Sequence, residues 1–483
     1  MATSYNSLRE FVDDLERQGE LVRISAEVDP HLEITEIADR VMKMPGGGKA
    51  LLFEHPKESH IPLLINAMGS MKRMQMALGV QRFSEISEEY LGMVDPGGAK
   101  SLMDKLKLLG KLKGLQDAMP REVSSAPCQE VILPEPSFAP FPIMTCWPGD
   151  GGPYITLPMV FTRDPETGMR NCGMYRMQIF DERTCGMHWH IHKGGAEHYR
   201  RAARNNRRMD VAVAVGCDPA VVFSAMAPLP PDLDEMILAG LIRKRAVNMV
   251  RCKTVDLEVP AESEIIFEGY VEPGETRLEG PFGDHTGFYS LPDQFPVFHL
   301  TAVTHRRNPI YMSTIVGRPP MEDYYLGAAV EGLFLPVIKK QMPEIVDLHM
   351  PAAGVFHNLL LVSINKAYPG HARKVMNAIW GTGQMMFSRM IVVVDADVNI
   401  RDYNEIAWVA TNHIDAKRDF EIVMGPVDEL DHASPYPDYG SKVGIDATRK
   451  WRGEGFDREW PDKIVMRDDV KTRIDGIWNS LGI

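Results

Sequence analysis

Two stretches, NCGMYRMQ at 171–178 and EGPFGDHTGFY at 279–289, hold the side chains best suited to acid/base chemistry. The first offers Asn171, Tyr175 and Arg176; the second offers two acids, Glu279 and Asp284, among glycines and a proline. An arginine is a permanent cation, so it can hold one carboxylate ionised while a second, desolvated one carries a proton to donate. Neither helix nor strand periodicity imposes the five-residue spacing of the two acids. The plainer reading is a β-turn in which Asp284 bonds its own backbone. Asn171 and Arg176 are also five apart, so one regular strand would put them on opposite faces. Both can serve one site only if that strand is bulged or the site lies at its end.

Between the two stretches lies HWHIHKGG at 188–195. On a strand, His188, His190 and His192 would share one face and could chelate zinc or iron. One histidine with hard oxygen ligands suits manganese or magnesium better, leaving the others to stack on a cofactor or bind its phosphate. Segment 171–178 followed by DERTCG and MHWHIH reads as a hairpin that aims polar groups at one pocket. Glu235 lies three residues after Asp232 in a helix predicted over 232–244, which is also a capping-box arrangement. Lys442, between Gly440 and Gly444, is a lone cation that could meet a phosphate or lie in solvent.

The elements that must position these groups fall into blocks. A helix over roughly 5–18 ends at Gly19 and is followed by the strand ELVRISAEV. A second helix, 33–43, has an apolar face of Ile34, Ile37, Ala38, Val41 and Met42. PGGGK at 45–49 precedes a strand rather than a helix, so it reads as a turn and not a phosphate loop. The lysine-rich stretch 95–116 predicts a basic amphipathic helix, either solvated against the body or touching an anionic membrane surface. From 121 to 316 come short β-like runs, among them VAVAVG, AVVFSA, EIIFEGYV and FPVFHLTAVTH, which suggest a barrel or sandwich. After GRPP the pattern alternates: helix 322–341, strand 357–364, helix 370–387, strand 390–395, helix 402–411, strand 420–425. That alternation predicts a sheet covered by helices. The expected division is therefore 1–120, 121–316, 322–445 and a tail, 446–483, ending in a helix over 468–480.

Composition narrows the function classes. At 483 residues the core is ample, and 53 basic against 66 acidic side chains give −13, which argues against a nucleic-acid surface. No secretory leader pattern opens the chain and no apolar run of spanning length occurs. Six cysteines without CxxC spacing fit a reduced compartment, so a cytoplasmic protein is expected.

Taken together these stretches resemble the UbiD family of prenylated-flavin-dependent decarboxylases, nearly from end to end. The resemblance rests on LREFVDDLERQGELVRI, VDPHLEITEIADR, LLFE, PIMTCWPGD at 142–150, the two stretches above, DLEVPAESEIIFEGYV, STIVGRPP, YPGHARKVM and GSKVGIDATRKW. It implies an α/β (α+β) fold: an N-terminal α/β segment, a central split β-barrel of flavin-reductase type for cofactor and metal, and a C-terminal α/β domain. That last domain would build a homo-oligomer, a dimer or a trimer of dimers. The implied cofactors are prenylated FMN, manganese(II) and a monovalent cation, potassium or sodium. A separate flavin prenyltransferase would supply the flavin, and the substrate would be an aromatic acid.

Carried over by position, Asn171, His192 and Glu235 match the manganese ligands, which overtakes the capping reading of Glu235. Met174, Tyr175, Arg176, His188, Trp189, His190, Lys193 and Gly194 match flavin contacts, and Lys442 matches a lysine near the phosphate. Arg176, Glu279 and Asp284 match the catalytic arginine–acid–acid network, in which Asp284, its pKa raised by desolvation, would deliver the proton. Many polyprenyl-hydroxybenzoate decarboxylases have Arg-Trp-Leu where this chain has His188-Trp189-His190. That departure, with the REWPDKI tail, points to the menaquinone branch and a dihydroxynaphthoate, the alternative being a 3-polyprenyl-4-hydroxybenzoate of ubiquinone synthesis. Two readings of another class stand beside these: a flavin-independent metalloenzyme using HWHIH, and a non-catalytic flavin-binding scaffold.

Overall fold

A computed structural model describes residues 4–94, 114–229, 233–356 and 358–482. Its centre is a nine-stranded sheet ordered Tyr154–Ile155, Met177–Ile179, Thr184–Met187, Asp293–His305, Ile265–Glu279, Met209–Val215, Met159–Arg163, Arg170–Met174, with Val131–Ile132 added beside Asp293–His305. Arg170–Met174 stands at one end of this order and Met177–Ile179 near the other, yet only Tyr175 and Arg176 separate them. Three peptide units reach about 10 Å at most, so the sheet has to curl until its two ends meet. The result is the mixed α/β class with a split barrel that the sequence led us to expect. The feared five-residue clash also dissolves, because Asn171 and Arg176 do not share a strand: the first lies on Arg170–Met174, the second in the break.

Both faces of this sheet are buried, which explains its near-continuous apolar runs. Val211, Val213 and Val215 face the core shared with Ile265, Phe267 and Val160. Ala212 and Ala214 face the opposite core with Ile266, Met159 and Phe161. The N-terminal helix Leu8–Arg17 packs on that second core through Leu8, Phe11, Val12 and Leu15. Ser7 caps it, its hydroxyl accepting from the backbone N–H of Glu10 at 3.4 Å.

The C-terminal sheet runs Ile345–His349, Leu359–Ile364, Met390–Asp395, Tyr439–Asp446, Phe420–Pro426. Leu360, Val362 and Ile364 point to the His371–Trp380 helix, while Leu361, Val392 and Val394 point to the Tyr403–His413 helix. The expected alternation of helices and strands is found.

Two expectations are corrected and a third falls outside the described residues. AVVFSA is a helix, Pro219–Ser224, because Asp218 accepts from the N–H of Ala220 (2.8 Å) and Pro219 pre-sets the first turn. HWHIH is not a strand: pairing ends at Met187, opposite Met177, and the chain then turns into an unforeseen helix, Gly194–Arg204. The lysine-rich helix expected over 95–116 lies almost wholly outside the described residues; only 114–116 of it are described, and these are helical. Among the described residues no helix is long and apolar enough to cross a membrane.

Candidate active site

Glu279 closes the long strand Ile265–Glu279 and is fully buried. The chain leaves that strand into a small hairpin, Phe282–Gly283 paired with Tyr289–Ser290, whose turn holds Asp284. The Asp284 N–H donates to the Phe288 carbonyl (3.0 Å), and the Gly287 N–H donates back to the Asp284 carbonyl (2.9 Å). Arg176 enters from the barrel split and meets both acids. Its Nε donates to Glu279 Oε1 (3.0 Å), its Nη2 to Glu279 Oε2 (3.4 Å) and to Ser290 Oγ (3.0 Å), and its Nη1 to Asp284 Oδ2. The guanidinium also lies over the Phe282 ring, 4.5 Å from its centroid. A planar fork held on every side has one orientation.

His188 Nδ1 adds a bond to Glu279 Oε2 at 3.0 Å. His285 gives two to Asp284 Oδ1, from its backbone N–H (2.7 Å) and from Nδ1 (2.9 Å). Burial alone would raise both carboxyls. For Glu279 the His188 bond and the Arg176 charge outweigh it and hold the pKa at about 2. For Asp284 the Arg176 charge and the His285 bonds win, leaving it well below the usual carboxylate range. The expectation of an acid raised by desolvation is thus corrected: in this arrangement both acids are ionised. His188 is pushed down, first by burial and then by Arg176.

A second corner forms where Arg170–Met174 meets the start of Gly194–Arg204. Among the described residues no side chain caps that helix, whose N-cap is Lys193. The Gly195 N–H donates to the Tyr175 hydroxyl (3.3 Å), as does Asn171 Nδ2 at 3.5 Å. A Cβ at Gly194 would fall 2.1 Å from Asn171 Oδ1, so a side chain there would displace the Asn171 amide. Glu235 opens the Glu235–Arg243 helix and accepts from the Cys172 N–H at 2.9 Å, placing it beside Asn171. Asp234 supplies the helix cap, its side chain accepting from the Met236 N–H, so Glu235 is not part of the capping box; Asp232 lies outside the described residues. Burial pushes the Glu235 carboxyl up to about 7. His192 is exposed, two residues before Gly194, with its ring 5.3 Å from that of Phe387.

The C-terminal domain reaches both corners. Lys193 Nζ donates to Gln384 Oε1 (3.1 Å), and Thr286 Oγ1 lies 2.9 Å from His432 Nε2. His190 Nδ1 is 3.3 Å from Glu429 Oε2, and burial with His188 alongside lowers His190 to about 3. Nitrogens of His188 and His190 and an oxygen of Glu429 lie within 4.8 Å of one another, a grouping with metal-ligand chemistry. Lys442 is buried, and its Nζ donates to the Met386 carbonyl, one residue from Phe387. Trp189 is buried with its indole against Gly195, and Met174 is half-buried on the core. His285, Ser290 and Glu429 were not singled out from the sequence. His285 stands in the quoted GDHTG stretch, a signal passed over, whereas nothing near Glu429 marked it.

Three family models match this chain: the N-terminal domain of 3-octaprenyl-4-hydroxybenzoate carboxy-lyase over residues 12–90, its Rift-related domain over 121–319, and its C-terminal domain over 324–447. An uncharacterized protein of Archaeoglobus fulgidus is 52% identical over 480 residues, 99% of each chain. Among solved structures, the closed form of vanillic acid decarboxylase from Sedimentibacter hydroxybenzoicus superposes with a TM-score of 0.86 at 26% identity, covering 99% of this chain and 100% of that one. The UbiD-class enzyme HmfF of Pelotomaculum thermopropionicum, in complex with FMN, gives 0.78 at 30% identity over 94% and 97%. An evolved dimeric form of HmfF with prFMN gives 0.76 at 28% over 95% and 97%. With all three family domains in order and half of its residues shared with a full-length relative, the chain belongs to the UbiD family of carboxy-lyases, the aromatic acid decarboxylases.

Proposed function

We propose that the protein removes carbon dioxide, without oxidation and reversibly, from a dihydroxynaphthoate of menaquinone synthesis, using prenylated FMN. The observation that carries this reading is the buried guanidinium of Arg176 bonded at once to Glu279 and Asp284, an acid/base pair held ready in a water-poor site. The residues present fit a phosphate-bearing flavin. The uncapped N-terminus at Gly194 and Gly195, with Lys193 beside it, suits a phosphate. Among the described residues buried Nε2 of His188 and Nε1 of Trp189 have no hydrogen-bond partner, as groups facing a polar ligand would. Among the described residues half-buried Glu235 has only the more distant charge of Arg170 against its burial and no salt bridge of its own, a balance that a bound cation would improve.

Asn171, Glu235 and His192 would hold manganese(II) next to the phosphate, with Lys442 behind the same region; potassium or sodium belongs to the same reading. Prenylated FMN, when bound, supplies the electron sink that a departing carboxylate needs and no side chain offers. The chain's own residues do the rest. Arg176 fixes Glu279 and Asp284 through charge-assisted bonds. Asp284 gives a proton to the ring carbon that has lost its carboxylate, and takes one from it in the reverse direction. A flavin-free enzyme built on three histidines is less well supported, because His188 Nδ1 is engaged by Glu279 and His192 turns to Phe387. The same reading includes a homo-oligomer, a dimer or a trimer of dimers, in the cytoplasm.

The test is to co-produce the chain with a flavin prenyltransferase and measure carbon dioxide release from a dihydroxynaphthoate and from a 3-polyprenyl-4-hydroxybenzoate. Turnover of the naphthoate is expected. Turnover of the benzoate alone would move the protein to ubiquinone synthesis. A flavin-loaded protein that neither releases carbon dioxide nor exchanges ring hydrogen with any aromatic acid would be a scaffold.

A further inference from the structure

Asp284 as the structure holds it has no proton to give. Oδ2 accepts from Arg176, and Oδ1 accepts twice from His285, through N–H and through Nδ1. The chemistry proposed above takes one proton from this carboxyl in every decarboxylation, so a neighbour has to return it. Arg176 cannot, since a guanidinium does not deprotonate in proteins. An imidazole can, because it exchanges protons near neutrality.

We propose that His285 reprotonates Asp284 between turnovers, acting through the Nδ1···Oδ1 hydrogen bond as a positioning and proton-returning residue. This rests on the decarboxylase reading. In the step, the Nδ1–H bond of the imidazolium breaks and an O–H bond forms on Oδ1; the N–H electron pair stays on nitrogen, and neutral imidazole and neutral carboxylic acid result. No electron changes hands. In carboxylation the same bond carries the proton the other way.

The surroundings keep a proton on the ring, and because Asp284 is held low the carboxylic acid formed by its transfer is a transient species. The ring is half-buried against Phe356, 5.5 Å between centroids, and lies at the seam where the C-terminal domain meets the barrel. Three carboxylates act on it: Asp284 itself, Asp323 in the first turn of the Glu322–Gln341 helix, and Asp428 of the C-terminal domain. Burial would lower the imidazole, but the Asp284 bond and these charges outweigh it and raise it above its ordinary 6.5. The shift favours the imidazolium, the form that carries the proton to be returned. It is lost only as pH climbs past that raised value.

The experiment uses the flavin-loaded full chain and compares wild type with His285→Gln across pH. Wild-type kcat should fall on the alkaline side as the imidazolium is lost. His285→Gln should keep flavin absorbance and KM, lose about 10²-fold in kcat, and show no such alkaline limb. Added imidazole should restore part of the rate to His285→Gly. Wild-type kcat with an unchanged pH profile in His285→Gln would overturn the relay. If His285→Gln fails to load flavin, His285→Gly decides: rescue by imidazole supports the relay, and a loaded protein without rescue overturns it. A wild type that releases no carbon dioxide would instead remove the decarboxylase reading, so the two failures are told apart.

Discussion

At the Arg176 corner each charge meets an opposite one: the guanidinium spans Glu279 and Asp284, with His188 and His285 completing the carboxylates. At the Glu235 corner, by contrast, a half-buried carboxylate sits beside Asn171, and an uncapped helix N-terminus opens next to it. Burial pushes Glu235 up to about 7, whereas Glu279, more deeply buried, stays at about 2. The difference teaches which parts of the site are complete in the chain alone. The acid/base set is organised by the protein's own charges, and on the proposed reading the Glu235 corner is a socket whose balance is completed by its guest. Loss of the cation at the first should therefore damage fold and chemistry together, and loss of the acid at the second should damage binding while sparing the fold.

The largest effect is expected at Arg176. Replacing it with alanine leaves Glu279 and Asp284 buried without their cation, a loss of about 3–5 kcal/mol. Denaturant unfolding of the flavin-free protein measures it, and turnover should vanish as well. A stability within about 1 kcal/mol of wild type would break the contrast between the two corners. Glu235→Gln should act in the opposite sense. Manganese affinity, read by titration, should drop at least about 10–100-fold. The flavin-free fold should be no less stable, because a neutral amide replaces an acid whose charged form burial already disfavours, and it can still accept from Cys172. A marked fall in that stability would mean that Glu235 is part of the framework rather than of the socket.

How far the sequence spoke for each region follows from the same physics. The C-terminal helices and strands were legible because Leu360 to Ile364 and Ile391 to Val394 alternate between two helix-covered faces. Its strand Tyr439–Asp446 was not, since its buried side carries Gly440, Lys442, Gly444 and Asp446, and the pattern runs backwards. The helix Gly194–Arg204 escaped for a related reason: it buries Gly195, Ala196, His198 and Ala202, small or polar groups that leave no apolar stripe. HWHIH alternates as a strand does, but a strand needs a neighbour, and the pairing with Met177–Ile179 stops one residue before His188. The trio Arg176, Glu279 and Asp284 was legible as residue types. The charge on Asp284 was not, because it depends on an arginine 108 residues earlier and on the ring of His285 next to it.

The most direct measurement is single-turnover decarboxylation by flavin-loaded Asp284→Asn in deuterated water, scoring carbon dioxide release and deuterium in the product ring. The account predicts that flavin and manganese stay bound while protonation of the ring slows by about 10²–10⁴-fold. Product formed and deuterated at the wild-type rate would contradict it.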